Sequence, residues 1–472
     1  MDQLMNNTVN DIDSVKIGDF ATQLKGKIVM ASDDTYAETR KVFNAMIDKR
    51  PGMFAMCTDV ADVIASVNFA RENNLMVAIR GGGHNGGGLG LCEGGLVIDL
   101  SGIKFVQVDT SDNTVKVGGG NLWREVDSAT HDFGLAIPAG IVSTTGVGGL
   151  TLGGGVGYLS RKYGLTIDNL LEAEMVLADG SCVTVNGDQH KDLFWAIRGG
   201  GGNFGIVTSF KFKAHPVKTV FGGPTLWPIE RTKEIMEWFD GFIHKAPEEL
   251  NGFIATLTIP GPPFPEHLHN KKFCGIVWCY LGDSDKVDEV FKEIRSRAPL
   301  FEHMGAMPYP AIQTMFDGMF PPGMQWYWRA DFFNDITPEA RAKHLEFGSR
   351  IPTTLSQMHL YPISGAASEP AKDATPWAYR DAKYAGVIVG VDPDPENADK
   401  ITKWCKDYWE ALHPYSAGGA YSNFMMDEGE DRLRAAYGSN YGQLVAIKNK
   451  YDPNNFFRVN QNIKPTLTEI KS

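Results

Sequence analysis

Cysteine is scarce in this chain: it has 6 cysteines among 472 residues, and no two stand at the C-x-x-C spacing of a zinc or redox site. This pattern favours free thiols over a disulfide framework. There is no run of about 18 apolar residues, so the sequence predicts no transmembrane helix. The N-terminus is polar and acidic, without the basic start and apolar core of a signal peptide. We therefore expect a cytoplasmic protein, and no motif indicates a metal site.

Clusters of basic residues are missing as well. The formal net charge is −12 and no Lys/Arg-rich run occurs, which argues against nucleic acid or an anionic membrane as a partner. Hydrophobic residues make up 43% and charged residues 22%, as in ordinary globular proteins. The length suggests two to four domain-sized units. The composition leaves the oligomeric state open.

Glycine is abundant but uneven: more than half of the 52 glycines lie between Gly81 and Gly205. The stretch "AIRGGGHNGGGLG", residues 78–90, follows a strand-like run and holds one histidine, His84. Consecutive glycines after a strand expose bare N–H groups that suit an anion such as a pyrophosphate. Tight turns in a β-rich fold are the alternative for any single cluster. Four such clusters in one region favour a ligand.

Two well-known phosphate motifs do not fit these glycines. A P-loop needs G-K-[ST], which "GGGHNGGGLG" lacks. A dinucleotide fingerprint needs G-x-G-x-x-G before a helix, whereas Gly200, Gly202 and Gly205 precede "IVTSFKFKA", a predicted strand. We therefore expect a dinucleotide or another large phosphate ester held by loops outside a Rossmann crevice.

After residue 216 the pattern changes to aromatic strands alternating with amphipathic helices. "KKFCGIVWCYLG", "QWYWRADFF", "LSQMHLYPISGA" and "KYAGVIVGV" predict strands, and "RTKEIMEWFDGFIHKA" and "ADKITKWCKDYWEAL" predict helices. Earlier in the chain, "NLWREVDSATHDFGL" predicts a helix with Leu122, Val126, Ala129 and Phe133 on one stripe. From about Tyr421 glycines and loops return.

Four ordered segments resemble the FAD-linked oxidases of the vanillyl-alcohol oxidase superfamily, in the branch of berberine bridge enzyme and 6-hydroxynicotine oxidases. They are "IRGGGHN", "GVGGLTLGGGVGYLSRKYGLTIDNL", "DLFWAIRGGGGNFGIVTSF" and "YDPNNFFRVNQNIKP". The resemblance covers nearly the whole chain after about residue 35. It implies an α+β fold, in which a two-part PCMH-type FAD-binding domain is interrupted by a substrate domain with a large antiparallel sheet flanked by helices. The implied boundaries are 35–215 and 421–472 for the FAD-binding domain and 216–420 for the substrate domain.

The same resemblance implies the residues that hold FAD. They are Arg80, Gly81, Gly82, Gly83, His84, Asn85, Thr144, Thr145, Gly146, Gly149, Gly154, Gly205, Ile206, Val207, Asn460 and Asn462. In the family, the histidine at the His84 position is bonded to the flavin 8α-methyl group. Many relatives carry a second link from a cysteine, but Val142 stands at that place in "PAGIVSTTG". We therefore expect one covalent link, through His84.

Candidate catalytic residues come partly from strand periodicity. In "LSQMHLYPISG", Leu355, Gln357, His359 and Tyr361 share one face, so His359 can stand in the wall of a site. Tyr421 and Tyr163 match family tyrosines near the flavin. In "QWYWRADFF", Tyr327 and Arg329 share a face. A structural role is favoured for Arg329 and for His359, and a functional role for Tyr421.

Together these features predict an FAD-dependent oxidase. It would remove a hydride from a CH–OH or CH–NH carbon of a small organic substrate and pass the electrons to O₂, giving H₂O₂. Thr145, three places after Val142, is similar in size to the valine of oxygen-reactive relatives and favours this reading. A flavin dehydrogenase with another acceptor, or a non-catalytic flavin-binding protein, remains an alternative. Flavin bleaching by a substrate and peroxide formation would separate the three.

Overall fold

The first glycine run connects two strands of a mixed four-stranded sheet. The computed structural model describes residues 6–466, so residues 1–5 and residues 467–472, the end of the predicted C-terminal part, lie outside it. The strands are β1 Lys27–Met30, β2 Met53–Met56, β3 Val77–Arg80 and β4 Leu96–Asp99. Their order is β1-β2-β4-β3, with β4 parallel to both neighbours. The run 81–95 therefore leaves the end of β3 and returns to a strand beside it.

A second, antiparallel sheet carries the third glycine run at the start of one of its strands. Its order is β5-β6-β10-β8-β9, and β7 and β11 pair separately. The strands are β5 Val106–Asp109, β6 Thr114–Gly118, β7 Leu135–Ala136, β8 Leu170–Val176, β9 Cys182–Asn186, β10 Ile206–Lys213 and β11 His215–Pro216. As predicted, the segment after Gly205 is a strand, and an Asp-Gly turn with Gly180 at φ +84° joins β8 to β9.

The third sheet is large and antiparallel. Its order is β15-β12-β14-β13-β18-β19-β17, and β16 also pairs with β12. The strands are β12 Thr219–Pro228, β13 Leu250–Thr258, β14 Lys272–Tyr280, β15 Phe301–Glu302, β16 Gly305–Pro308, β17 Gln325–Phe333, β18 Gln357–Pro362 and β19 Tyr384–Asp392. Alternation along β17 sends Trp326 and Trp328 to one face, whereas Tyr327 on the other lies under Lys406.

Helices cover the outer face of the large sheet and connect the smaller ones. They are α1 Ser14–Gln23, α2 Tyr36–Thr39, α3 Val60–Glu72, α4 Trp123–His131, α5 Val147–Gly153, α6 Ser160–Tyr163, α7 Lys191–Ile197, α8 Thr232–Ile243, α9 Val287–Ser296, α10 Tyr309–Thr314, α11 Pro338–Gly348, α12 Ala398–Leu412, α13 Glu430–Tyr437 and α14 Tyr441–Tyr451. No helix within residues 6–466 is long and apolar enough to cross a membrane.

Two local predictions were wrong. The stripe on α4 does not reach Phe133, which is 55% exposed, because the helix ends at His131 and Gly134 turns the chain at φ +70°. The segment after Tyr421 is not mainly loop, since α13 and α14 occupy much of it.

The C-terminal segment packs against the third glycine run. Asn203 donates a hydrogen bond from Nδ2 to the Gln461 carbonyl at 3.0 Å, and its Oδ1 accepts one from the Ile463 N–H at 2.9 Å. Because an asparagine amide offers both a donor and an acceptor, one side chain fixes the tail in register with the loop. The tail and the glycine-rich region are thereby joined across about half the chain.

Candidate active site

A cavity of about 330 Å³ lies between the glycine loops, the inner face of the large sheet and the C-terminal segment. The glycine loops contribute residues 80–85, Thr145, Gly146, Gly149, Gly201, Gly202, Gly205, Ile206 and Val207. The large sheet contributes Trp326, Trp328, His359, Tyr361, Val387 and Val389, and the C-terminal segment contributes residues 421–424 and Asn460. Segments from five separate parts of the sequence therefore meet at one site.

The glycines of this cavity serve two different purposes. A Cβ atom on Gly82 would lie 2.6 Å from the Cα of Gly146, so the first two glycine loops touch through their main chains. A Cβ atom on Gly149 or Gly202 would meet no protein atom within 4 Å, although both residues line the cavity. Protein packing does not require glycine at these two positions, whereas a ligand lying against the main chain does.

Unpartnered polar atoms also fit a large polar ligand. Asn460 donates from Nδ2 to the carbonyls of Gly202 and Phe457, and its buried Oδ1 has no hydrogen-bond partner in the described part of the chain. A buried acceptor left unpaired costs free energy unless a ligand donor meets it. The donor-rich loops, the unfilled positions at Gly149 and Gly202 and this acceptor fit FAD.

His84 stands where the first glycine loop meets the second. Its ring stacks on Phe43 with centroids 3.7 Å apart, and Nε2 lies 3.3 Å from Thr144 Oγ1. Burial lowers the pKa of His84 to about 4, so the imidazole is neutral near pH 7 and one ring nitrogen carries a free lone pair. A neutral imidazole is the nucleophilic form that an alkyl link requires.

Arg80 fixes the start of the loop that carries His84. It is the last residue of β3, is 8% exposed and forms an ion pair with Asp99 at the end of β4. Its Nη1 donates to the carbonyl of Thr39. Because Arg80 and Asp99 lie directly opposite in the parallel pair, this ion pair holds the two strand ends on either side of the loop.

The segment with Val142, Thr144 and Thr145 faces the same cavity. Val142 and Thr145 line it, and Thr144 contacts His84 through its hydroxyl. Valine has no nucleophilic atom, so a second link cannot form there. Cys92 is buried elsewhere, with Sγ 3.6 Å from the Leu96 carbonyl, and burial raises the pKa of its thiol to about 12.

His359 belongs to a row of hydrogen-bonded side chains on β18. Its Nδ1 lies 2.7 Å from the hydroxyl of Tyr361 and its Nε2 lies 2.8 Å from Gln357 Oε1. This is the shared face that strand alternation predicts, and it forms part of the cavity wall. Burial lowers the pKa of His359 to about 3, so the ring is neutral in the pH range in which the protein would work.

Tyr421 also lines the cavity, with its ring 4.7 Å from that of Phe424. Its hydroxyl oxygen accepts two hydrogen bonds, from the Gly155 N–H at 2.8 Å and from Asn423 Nδ2 at 2.7 Å. The residues that follow form a short 3-10 turn, Ser422–Phe424. The turn still brings Tyr421 and Asn423 together.

Four predicted site residues do not line the cavity, and one of them, Thr144, contacts His84 instead. Tyr163 stacks on His215 with centroids 4.0 Å apart, at the end of α6. Gly154 lies behind Tyr421, because a Cβ atom there would come within 3.2 Å of that ring. Asn462 has a buried Oδ1 without a partner among the described residues but stays outside the lining. The structure thus brings twelve predicted glycine-loop positions to the cavity, together with Asn460, Tyr421 and His359, and the lining leaves out Thr144, Gly154, Tyr163 and Asn462.

Several residues that line the cavity are not among the site residues predicted from the sequence. They are Phe43, Phe320, Trp326, Trp328, Tyr361 and Phe424. Alternation had already placed Tyr361 on the face of His359, so that residue was within reach. No local pattern in the sequence separates the other aromatic residues of the cavity from core residues. Within residues 6–466 no group of three or more metal-binding side chains occurs.

Family models match two parts of the chain, one with the first two glycine loops and one with the C-terminal segment. Residues 51–186 match a model described as an FAD binding domain, and residues 420–464 match one described as berberine and berberine like. An FAD-linked oxidoreductase of Dictyostelium discoideum is 32% identical over 455 residues, covering 95% of this chain and 97% of the relative. The (R)-6-hydroxynicotine oxidase of Paenarthrobacter nicotinovorans is 27% identical over 471 residues, covering 94% and 97%.

Solved structures share the fold over almost the full length. Berberine bridge enzyme from Eschscholzia californica superposes with a TM-score of 0.85 at 20% identity, covering 96% of this chain and 99% of that one. The 6-hydroxy-D-nicotine oxidase of Arthrobacter nicotinovorans gives 0.83 at 23% identity, covering 94% and 98%. The fold is therefore the α+β, PCMH-type fold with its large antiparallel sheet. The chain belongs to the berberine-bridge-like family of FAD-linked oxidoreductases, and it is an enzyme that uses FAD.

Proposed function

We propose that this protein is an oxidase of a small organic substrate, taking a hydride from a carbon that bears OH or NH and passing the electrons to O₂ to give H₂O₂. The proposal assigns residues 35–215 and 421–472 to FAD binding and residues 216–420 to substrate binding. The observation that carries it is the position of His84 and the glycine loops on one side of a cavity whose other side is the aromatic wall of the large sheet.

FAD, when bound, supplies the hydride acceptor, and the chain supplies binding, orientation and exclusion of water. The bare N–H groups of the glycine loops suit its phosphates. Trp326, Trp328 and Phe424 close the opposite side with apolar rings. A substrate held between these two walls is kept in a fixed orientation, which is the main contribution that a binding site makes to such a reaction.

Thr145 supports oxygen as the electron acceptor. It lines the cavity beside Val142, and both side chains are small. Small side chains leave room for a diatomic molecule next to the loop that carries His84. A dehydrogenase with a quinone or protein acceptor is the alternative to be tested.

A single covalent bond from His84 to FAD is part of the proposal. The imidazole is neutral, its ring plane is held by Phe43, and Val142 offers no second attachment. The purified protein should be yellow, and its denatured band on a gel should fluoresce. His84→Ala should abolish that fluorescence while some flavin stays bound, because the glycine loops remain.

The matched control is His267→Ala, which alters an exposed histidine in the turn Glu266–Leu268, away from the cavity. It should leave the fluorescent band intact. Complete release of flavin from the unaltered protein by acid would contradict the covalent link without contradicting FAD binding.

The oxidase itself is tested by screening alcohols and amines under air and measuring peroxide, with catalase as control. Peroxide in step with substrate loss is the expected result. Bleaching of the flavin without peroxide would indicate a dehydrogenase. A folded, yellow protein that no substrate bleaches would indicate flavin binding without catalysis.

A further inference from the structure

A directional row of hydrogen bonds runs along the inner face of β18. It begins at the main-chain carbonyl of Leu355, which accepts a hydrogen bond from Gln357 Nε2 at 3.3 Å. It continues from Gln357 Oε1 to His359 Nε2 at 2.8 Å and from His359 Nδ1 to the hydroxyl of Tyr361 at 2.7 Å. Tyr361, at the end of the row, lines the cavity.

The first bond fixes the direction of every other. A carbonyl oxygen only accepts, so the Gln357 amide must turn its NH₂ group to Leu355 and its oxygen to His359. The His359 ring must then donate from Nε2. In a neutral imidazole the other nitrogen is an acceptor, so Tyr361 must give its only hydroxyl proton to His359 Nδ1.

Burial keeps this row uncharged. It holds the pKa of His359 near 3 and raises the pKa of Tyr361 well above its usual range, so neither group gains or loses a proton near neutral pH. Tyr361, which lines the cavity, consequently offers its hydroxyl oxygen as a hydrogen-bond acceptor that has no proton left to donate.

The hydroxyl of Tyr421 has the opposite role, that of a hydrogen-bond donor. The Gly155 N–H can only donate, and Asn423 also gives its Nδ2 to the Leu150 carbonyl, so both bonds that reach the Tyr421 oxygen are accepted ones. Its own hydroxyl proton remains to be donated. The rings of Tyr361 and Tyr421 lie 5.7 and 4.7 Å from the Phe424 ring, so an acceptor and a donor flank one aromatic side chain.

Charge is nearly absent from the lining. No Asp, Glu or Lys lines the cavity in the part of the chain that the structure describes, and the only charged group is Arg80, which is paired with Asp99 beside the glycine loops. A cation bound against the large sheet would lose its hydration without gaining a counter-charge, which is unfavourable.

We propose that the site selects an uncharged aromatic compound whose hydroxyl group donates a hydrogen bond to Tyr361, and that it disfavours ethers and cationic amines. This rests on the proposed function and narrows its substrate from alcohols and amines to neutral alcohols. A hydroxyl both donates and accepts, so it can satisfy Tyr361 and Tyr421; an ether cannot donate, and an ammonium group cannot accept. Tyr361 is thus a residue that determines specificity, and His359 and Gln357 position its proton.

The test measures binding to the FAD-loaded protein, from the change in visible flavin absorbance, with three probes: phenol, anisole and the trimethylanilinium cation. Phenol has no hydrogen on the carbon that bears its oxygen, so binding is measured without turnover. We expect phenol to bind about tenfold more tightly than anisole, the value of one well-made buried hydrogen bond, and the cation not to bind measurably.

Two variants separate the proposal from a general preference for phenol. Tyr361→Phe removes the acceptor and should bring the phenol-to-anisole ratio close to one. His359→Phe frees the proton of Tyr361, which can then donate to the anisole oxygen, so anisole should bind more tightly than it does to the unaltered protein. The control is Tyr327→Phe, on the outer face of β17, where the ratio should not change.

Equal affinities for phenol and anisole, an unchanged ratio in Tyr361→Phe, or a yellow, folded protein that binds no phenol would each overturn the proposal. Peroxide formation from benzyl alcohol is measured in parallel. Selectivity without peroxide would refute the oxidase function and leave this inference standing, whereas peroxide without selectivity would do the reverse.

Discussion

Lys448 is an unusual lysine, because it is fully buried in α14 and joins three parts of the chain. Its Nζ donates to Asp452 Oδ2 at 2.7 Å, to the Asn203 carbonyl at 2.7 Å and to the Phe457 carbonyl at 2.9 Å. Asn203 belongs to the third glycine run, and Phe457 lines the cavity. The lysine therefore holds a cofactor loop and the C-terminal tail together, and we predict that Lys448→Met destabilises both.

The size of the effect follows from what the substitution leaves behind. Methionine fills a similar volume but leaves Asp452 buried without its cation and two main-chain carbonyls without a donor. Removing one partner of a buried ion pair costs about 3–5 kcal/mol. Asp452 keeps hydrogen bonds from the N–H groups of Phe456 and Phe457, at 2.7 and 2.8 Å, so we expect the lower part of that range.

The assay is urea unfolding followed in parallel by circular dichroism and by flavin fluorescence. Lys448→Met should unfold at lower urea by both signals, and the double variant Lys448→Met/Asp452→Asn should recover part of the loss, because no buried charge remains. Lys450→Met is the matched control, two residues along the same helix, where an exposed lysine pairs with Asp192 at the surface. Equal midpoints for Lys448→Met and Lys450→Met would refute the reasoning.

Two further substitutions test the cavity and its surroundings. Gly149→Ala places a methyl group in α5 where no protein atom lies within 4 Å, so the apoprotein should be as stable as before or up to about 1 kcal/mol more stable, as expected for alanine in a helix. FAD uptake, measured by absorbance after reconstitution, should fall. Unchanged uptake would mean that no ligand lies against Gly149. Burial raises the pKa of Asp127 to about 7 from its usual value near 3.8, and this effect outweighs the hydrogen bond from Gln313, which lowers the pKa. The folded state is therefore more stable when this carboxyl is protonated. The contribution of Asp127 to the free energy of unfolding should be complete below about pH 4 and should decline by about 1.4 kcal/mol per pH unit up to about pH 7. Asp127→Asn should remove this decline, which is measured from urea midpoints between pH 4 and 8. A parallel slope in the variant would contradict a buried carboxyl that titrates in this range.

Local patterns in the sequence were sufficient for most strands and for the helices of the middle region. The run "QWYWRADFF" alternates as a strand with one face on a sheet core, and β17 has this alternation. The failures occurred where chain ends and glycines override periodicity. Phe133 continues the stripe of α4 in the sequence, but the helix has ended before it, and the buried residues of the helix are Trp123, Val126, Asp127 and Thr130.

The sequence by itself determined the loops that hold a large phosphate ester, because a main chain stripped of side chains around a single histidine is a local feature that glycine spacing records directly. The assignment of that ligand as FAD came from the resemblance of four ordered segments to FAD-linked oxidases. Only the tertiary structure decided which side chains stand opposite. Phe43, Trp326 and Tyr361 join His84 in the cavity wall from positions tens to hundreds of residues away, and Phe43 stacks on His84 and meets Trp326 in a tilted ring contact. The direction of the Tyr361 hydrogen bond, and so its role as an acceptor, depends on the Leu355 carbonyl six residues earlier and on the burial of His359. Periodicity states which face a residue occupies, but the partner that the face meets is set by packing between distant segments, and a single sequence does not encode that contact in any local pattern.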